Sequence, residues 1–183
     1  MKLTTEQTLQ QGIALHNEGK LEGAELFYRE ILKDYPKHPE ANHNLGSIAL
    51  HHNKPKDALL LFKIATEINP NTEKFWISLA NAHFSLNQFE EAKASYKRVI
   101  ELNPGNAQAQ NNLGAMLQRL NRLEEAEVSY KKAIKIKPDY AGAHYNLSVI
   151  LQEFGRLNEA IESYKKAIEI KPDYPEAYNN LGT

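Results

Sequence analysis

The stretches KKAIKIKPDYAGAHYNL, Lys131 to Leu147, and KKAIEIKPDYPEAYNNL, Lys165 to Leu181, lie 34 residues apart and agree at most positions. A catalytic site gathers unlike groups in one place, whereas a chain that repeats itself builds a surface, so the period comes first. Pro36, Pro70, Pro104, Pro138 and Pro172 carry the same spacing through the whole chain. Setting each proline at position 32 of a unit divides the sequence into 5–38, 39–72, 73–106, 107–140 and 141–174, with the start of a sixth unit at 175–183. No insertion interrupts the series, so no loop is enlarged to carry a site. A single domain over 1–183 is expected.

Four further columns give each unit its shape. Position 20 is always alanine, at Ala24, Ala58, Ala92, Ala126 and Ala160, and position 8 is always small, at Gly12, Gly46, Ala80, Gly114 and Ser148. Position 24 is always aromatic, at Tyr28, Phe62, Tyr96, Tyr130 and Tyr164. Small residues predict close helix approach, and the rings fill the space beside it. Position 15 holds only glycine or asparagine, at Gly19, Asn53, Asn87, Asn121 and Gly155, the types that best tolerate the left-handed conformation ending a helix. The proline stops the second helix, and Thr72 or Asn106 at position 34 is placed to cap the next one. In the second unit Leu45, Ala49 and His52 form one helical stripe and Ala58, Leu61, Phe62 and Ala65 another. One hairpin cannot bury both stripes, and stacked neighbours can, which predicts an all-α solenoid of helix–turn–helix units.

Small, alanine, aromatic and proline at positions 8, 20, 24 and 32 of a 34-residue unit resemble the tetratricopeptide repeat over residues 5–183. The resemblance implies a right-handed α-solenoid. Departures are few: Trp76 is the only tryptophan at position 4, Ile31 and Val99 replace alanine at position 27, and His83 occupies an apolar or aromatic position. In this family the first helices line a concave groove, with positions 2, 5, 6, 9, 12 and 13 facing into it. Position 6 reads Gln10, Asn44, Ser78, Asn112, Asn146 and Asn180. Asparagine is a mediocre helix residue, so its return to one face needs a reason. A carboxamide pairs with both the N–H and the C=O of an extended peptide. The column is similar to the asparagine ladder of O-linked N-acetylglucosamine transferases, which implies main-chain recognition by Asn44, Asn112, Asn146 and Asn180. The alternative reading is that these asparagines are exposed residues copied with the duplicated unit. Around it the groove is expected to present Asn111, Tyr145, Asn81, Phe84, Gln118 and Arg119, with Gln152 and Glu153 alongside. A carboxylate clamp would need cations at positions 5 and 6, and there are none.

The composition supports an interaction module. With 22 basic against 23 acidic side chains, no global field exists to hold a nucleic acid. No apolar run of about 18 residues spans a membrane, and the start MKLTTEQTLQQ does not read as a secretion signal. The absence of cysteine excludes thiolate metal sites and cysteine nucleophiles. His43, His51 and His52 lack metal-ligand spacing, His83 and His144 read as packing residues, and Lys131, Lys132, Lys135 and Lys137 read as a solvated face. No phosphate loop or catalytic order is found, so no enzyme, cofactor or metal is expected. The expected function is a scaffold that binds an extended polypeptide of a partner in its groove. The alternative is a substrate-presenting arm of a larger glycosyltransferase, sulfotransferase or methyltransferase. Pro175 is expected to start a helix that packs Tyr178 and Leu181 on the fifth unit, and the uncapped C-terminal end is expected to favour self-association.

Overall fold

The computed structural model describes residues 3–182. Among them are α1 (Thr5–Asn17), α2 (Leu21–Asp34), α3 (Pro39–His51), α4 (Pro55–Ile68), α5 (Glu73–Ser85), α6 (Phe89–Leu102), α7 (Ala107–Arg119), α8 (Leu123–Ile136), α9 (Ala141–Glu153), α10 (Leu157–Ile170) and α11 (Pro175–Leu181). The chain forms two compact units, one up to Ser95 and one from Tyr96 onward, with the division inside α6.

The position-15 residues make the turn within each repeat. All five lie in the left-handed region, with φ of 75° at Gly19, 56° at Asn53, 57° at Asn87 and Asn121, and 71° at Gly155. Each turn closes with the same bond from the residue after it to a carbonyl one turn back: Lys20 N to Leu15 O, Lys54 to Ala49, Gln88 to His83, Arg122 to Leu117 and Arg156 to Leu151, all 2.8–2.9 Å. The second helices stop at Asp34, Ile68, Leu102, Ile136 and Ile170, two residues before the prolines.

Three unlike residues at position 4 fasten the turn between repeats. Asn42 Nδ2 donates to Pro36 O at 3.0 Å, Trp76 Nε1 to Pro70 O at 2.8 Å, and His144 Nε2 to Pro138 O at 2.9 Å. The lone tryptophan therefore does the work of an asparagine or a histidine. Helix starts vary similarly. Thr4 forms a capping box with Gln7, His38 Nδ1 accepts from Ala41 N, and Asn106 Oδ1 accepts from Ala109 N. Thr72, expected to cap α5, occupies the N-cap without a side-chain bond.

Inside the first unit, Ala24, Tyr28, Ala58, Phe62 and Ala92 are fully buried, with Leu9, Ile31, Leu45 and Ile48 around them. The glycine at position 8 is explained by the ring at position 24: a Cβ on Gly46 would lie 2.7 Å from Phe62 Cε1, closer than real contacts allow. His52 lies exposed at the C-cap of α3, outside the stripe it was assigned to, and Ile48 supplies the buried contact instead. Inside the second unit Ala126, Tyr130, Ala133, Ala143, Ile150 and Ala167 are fully buried, and a Cβ on Gly114 would meet Tyr130 Cε1 at 2.6 Å. Pro175 does begin α11, but Ala177 is its buried residue. Tyr178, expected to pack on the fifth repeat, is 51% exposed, lying about 100° round the helix from the buried Ala177, and Leu181 is half-buried. The last residue of the sixth start, Thr183, lies outside the described residues.

Candidate functional site

The expected groove residues sit on the first helices of the repeats. In the first unit Asn44 is half-buried on α3, and Asn81 and Phe84 are exposed on α5. In the second unit Asn111, Asn112, Gln118 and Arg119 lie on α7, Tyr145 and Asn146 on α9, and Asn180 on α11. Asn111 is buried, Arg119 exposed, and the others half-buried.

Position 6 turns out to be a hub of hydrogen bonds between neighbouring repeats. Its first link runs to position 5 of the preceding repeat: His43 Nε2 with Ser78 Oγ at 3.0 Å, Asn146 Nδ2 to Asn111 Oδ1 at 2.9 Å, and Asn180 Nδ2 to Tyr145 Oη at 3.2 Å. Its second link runs to the position-24 phenol of that repeat: Asn112 Nδ2 to Tyr96 Oη at 3.1 Å and Asn180 Nδ2 to Tyr164 Oη at 3.3 Å. Asn111 Nδ2 adds a contact to Asn112 Oδ1 at 3.4 Å, joining Asn112, Asn111 and Asn146 into one chain of amides. The column therefore has an internal reason to recur, beyond ligand contact or simple copying.

In three repeats the position-24 phenol also meets position 12 of its own repeat. Tyr130 Oη donates to Gln118 Oε1 at 3.1 Å, Tyr164 Oη donates to Gln152 Oε1 at 3.0 Å, and Tyr28 Oη meets His16 Nδ1 at 3.4 Å. Where position 24 is Phe62 and offers no hydroxyl, position 12 is the apolar Leu50 and the next position 6 is Ser78. The one serine in the asparagine run thus accompanies the one phenylalanine. Position 12 does not follow the same rule, since the apolar Phe84 stands there in the repeat of Tyr96. Gln118 Nε2 also reaches Glu153 Oε1 at 3.3 Å, linking α7 to α9.

The same region holds neutral aromatic groups. Tyr145 packs against Tyr174 with centroids 5.0 Å apart and against Tyr164 at 6.0 Å. Burial, reinforced by neighbouring phenols, pushes the hydroxyls of Tyr145 and Tyr174 above the usual tyrosine value, and burial alone does so for Tyr140. They remain protonated through the neutral range. In the first unit His43 lies between Phe62, at 5.6 Å, and Phe75, at 4.9 Å, and burial holds its imidazole below the usual value. It therefore contributes an uncharged polar ring. The lone cation at position 2, Lys74, is engaged by Glu40 at 2.7 Å. Among the described residues of these first helices, hydrogen-bonded amides and ring faces recur in each unit.

A family model described as tetratricopeptide repeat matches residues 9–72 and 77–141. The chain belongs to the tetratricopeptide repeat family. Two further tetratricopeptide models match 129–162 and 150–183. The solved tetratricopeptide protein YrrB, with an unusual peptide-binding site, is 23% identical and superposes with a TM-score of 0.88, covering 98% of this chain and 93% of that one. MamA is 26% identical with a TM-score of 0.83, covering 88% of this chain and 94% of that one. A stretch of 76 residues is 33% identical to the protein O-mannosyl-transferase TMTC3 of Homo sapiens, covering 42% of this chain and 8% of that protein.

Proposed function

We propose that this tetratricopeptide chain is a protein-interaction scaffold, and that the face formed by its first helices binds an extended polypeptide through Asn112, Asn146 and Asn180, with Tyr145, Gln118 and Arg119 beside them. Asn44, Asn81 and Phe84 are assigned the same role in the first unit. One observation carries this reading: Asn112 and Asn146 are held in place by bonds to the preceding repeat, and Asn146 keeps part of its capacity. A carboxamide has two N–H donors and an oxygen with two lone pairs, and Asn146 spends one donor on Asn111. Side chains already fixed by their neighbours lose little freedom when a ligand arrives, so each amide contact keeps more of its strength. Asn111, itself buried, acts by orienting Asn112 and Asn146. The peptide-binding site of YrrB, on a fold that superposes over nearly the whole chain, supports the reading. The matched segment of TMTC3 favours a second one, in which such a face presents polypeptide to a transferase domain of a longer protein.

A peptide array probed with the wild type and with Asn112→Ala/Asn146→Ala tests the proposal. Each substitution is expected to weaken binding by about 1 kcal/mol, the worth of one hydrogen bond. The affinity should change little with salt, since amides and phenols make the contacts. Equal binding by the double variant, or a steep salt dependence, would remove the amide column from the site.

A further inference from the structure

Six of the seven histidines lie in the first unit: His16, His38, His43, His51, His52 and His83. Two of them are lodged where a charge is poorly tolerated. His43 on α3 is held between the rings of Phe62 from α4 and Phe75 from α5, with Nδ1 3.2 Å from Asn44 Oδ1 and Nε2 3.0 Å from Ser78 Oγ. His16 on α1 lies against Tyr28 of α2, with Nδ1 3.4 Å from its hydroxyl, and shares an open hollow with His51 and His52. Among the described residues that line this hollow, Glu22 alone carries an opposing charge.

The groups around these two imidazoles oppose a proton. Burial is the main reason that His16 and His43 are held below the usual histidine value, and His51 adds repulsion at His16. At His43 the bond to Asn44 and the Glu40 carboxylate favour the charged form, while Lys74 from α5 and His16 from α1 oppose it. Glu40 is engaged by Lys74 at 2.7 Å, so part of its charge is already matched. From α4 the neighbour is the uncharged ring of Phe62. His51, His16, His43 and Lys74 therefore form a series in which a charge on one disfavours a charge on the next. The second unit differs. Its one histidine, His144, donates from Nε2 to Pro138 O, and a proton added at Nδ1 leaves that bond in place.

We propose that the first unit is an acid-sensitive element of the chain: charging His16 and His43 loosens the packing of α1, α3 and α5 while the second unit keeps its fold. A group that binds protons less readily folded than unfolded stabilises the fold at high pH and withdraws that stability as the pH falls. For His16 and His43 the loss begins near the ordinary histidine value of about 6.5 and grows below it. Carboxylates titrate mainly around pH 4, so between pH 7.5 and 5.5 the histidines are the side chains that change. Asn44 stands on α3 and Asn81 and Phe84 on α5, so acid withdraws the first unit's share of the binding face. That consequence rests on the function proposed above, whereas the switch itself does not.

The test is urea denaturation of the whole chain, without ligand, at pH 7.5 and pH 5.5. Trp76, the only tryptophan, lies half-buried on α5 and reports the first unit by its fluorescence. Its midpoint should fall by about 0.5–1 M at the lower pH. The double variant His16→Gln/His43→Asn installs the residues that stand at Gln118 and Asn111 in the fourth repeat, and most of that fall should disappear. Hydrogen exchange of α9 and α10, corrected for the intrinsic rate, should be equal at the two pH values. An unchanged wild-type midpoint, an equal fall in the double variant, or equal loosening of the second unit would overturn the switch. Should the double variant not fold at pH 7.5, NMR titration of the wild-type imidazoles decides. His16 and His43 charging only below the ordinary histidine range supports the switch, and ordinary values overturn it. Either result leaves the polypeptide-binding reading to its own peptide array.

Discussion

Replacing Tyr130 with alanine is expected to destabilise the second unit by about 3–5 kcal/mol, the largest single effect foreseen for this chain. Tyr130 is fully buried, its ring lies where a Cβ on Gly114 would otherwise sit, and its hydroxyl donates to Gln118. Alanine removes the ring and leaves a cavity that helices fixed by neighbouring turns cannot close. Phenylalanine separates the two contributions. It keeps the ring and loses only the bond to a half-buried glutamine, which is worth about 1 kcal/mol. Phe62 shows that the repeat accepts the smaller change, with Leu50 in place of the glutamine. Urea denaturation of both variants checks the expectation. A loss below about 1 kcal/mol for alanine would mean that the ring is not the packing element between these helices.

The second large effect is predicted at Ala126, which is fully buried at the position that holds alanine in every repeat. Leucine there adds three carbons where α7 and α8 approach closely, and overpacking of this kind costs about 1–3 kcal/mol. The same substitution at Val128, which is 52% exposed on α8, should change stability by about 0.5 kcal/mol or less. Thermal melts of the pair measure the contrast. Equal melts would place Ala126 away from the helix contact.

What was legible in the sequence was whatever repeats without variation. Alanine at position 20, the small residue at 8, the ring at 24 and the turn residue at 15 are each imposed by a contact or a dihedral angle that admits one to three residue types, and all five copies obey. Bonds that several residue types can make left no such trace. Asn42, Trp76 and His144 all donate to a proline carbonyl, so position 4 looked irregular while its function stayed constant. The asparagines stand out in the sequence by their number, whereas their partners do not, because His43, Asn111 and Tyr145 at position 5 share a bond and nothing in their chemistry class. Tyr178 differs from its expected place for a simpler reason: α11 is short, and the small Ala177 fits inward where an aromatic residue is expected.

The most direct measurement of the central claim is NMR mapping of side-chain and backbone amide shifts during titration with an extended peptide taken from the array. The account predicts that the largest changes fall on the carboxamides of Asn112, Asn146 and Asn180 and on the backbone of α7, α9 and α11. Changes confined to α8 and α10, with those carboxamides unmoved, would contradict it.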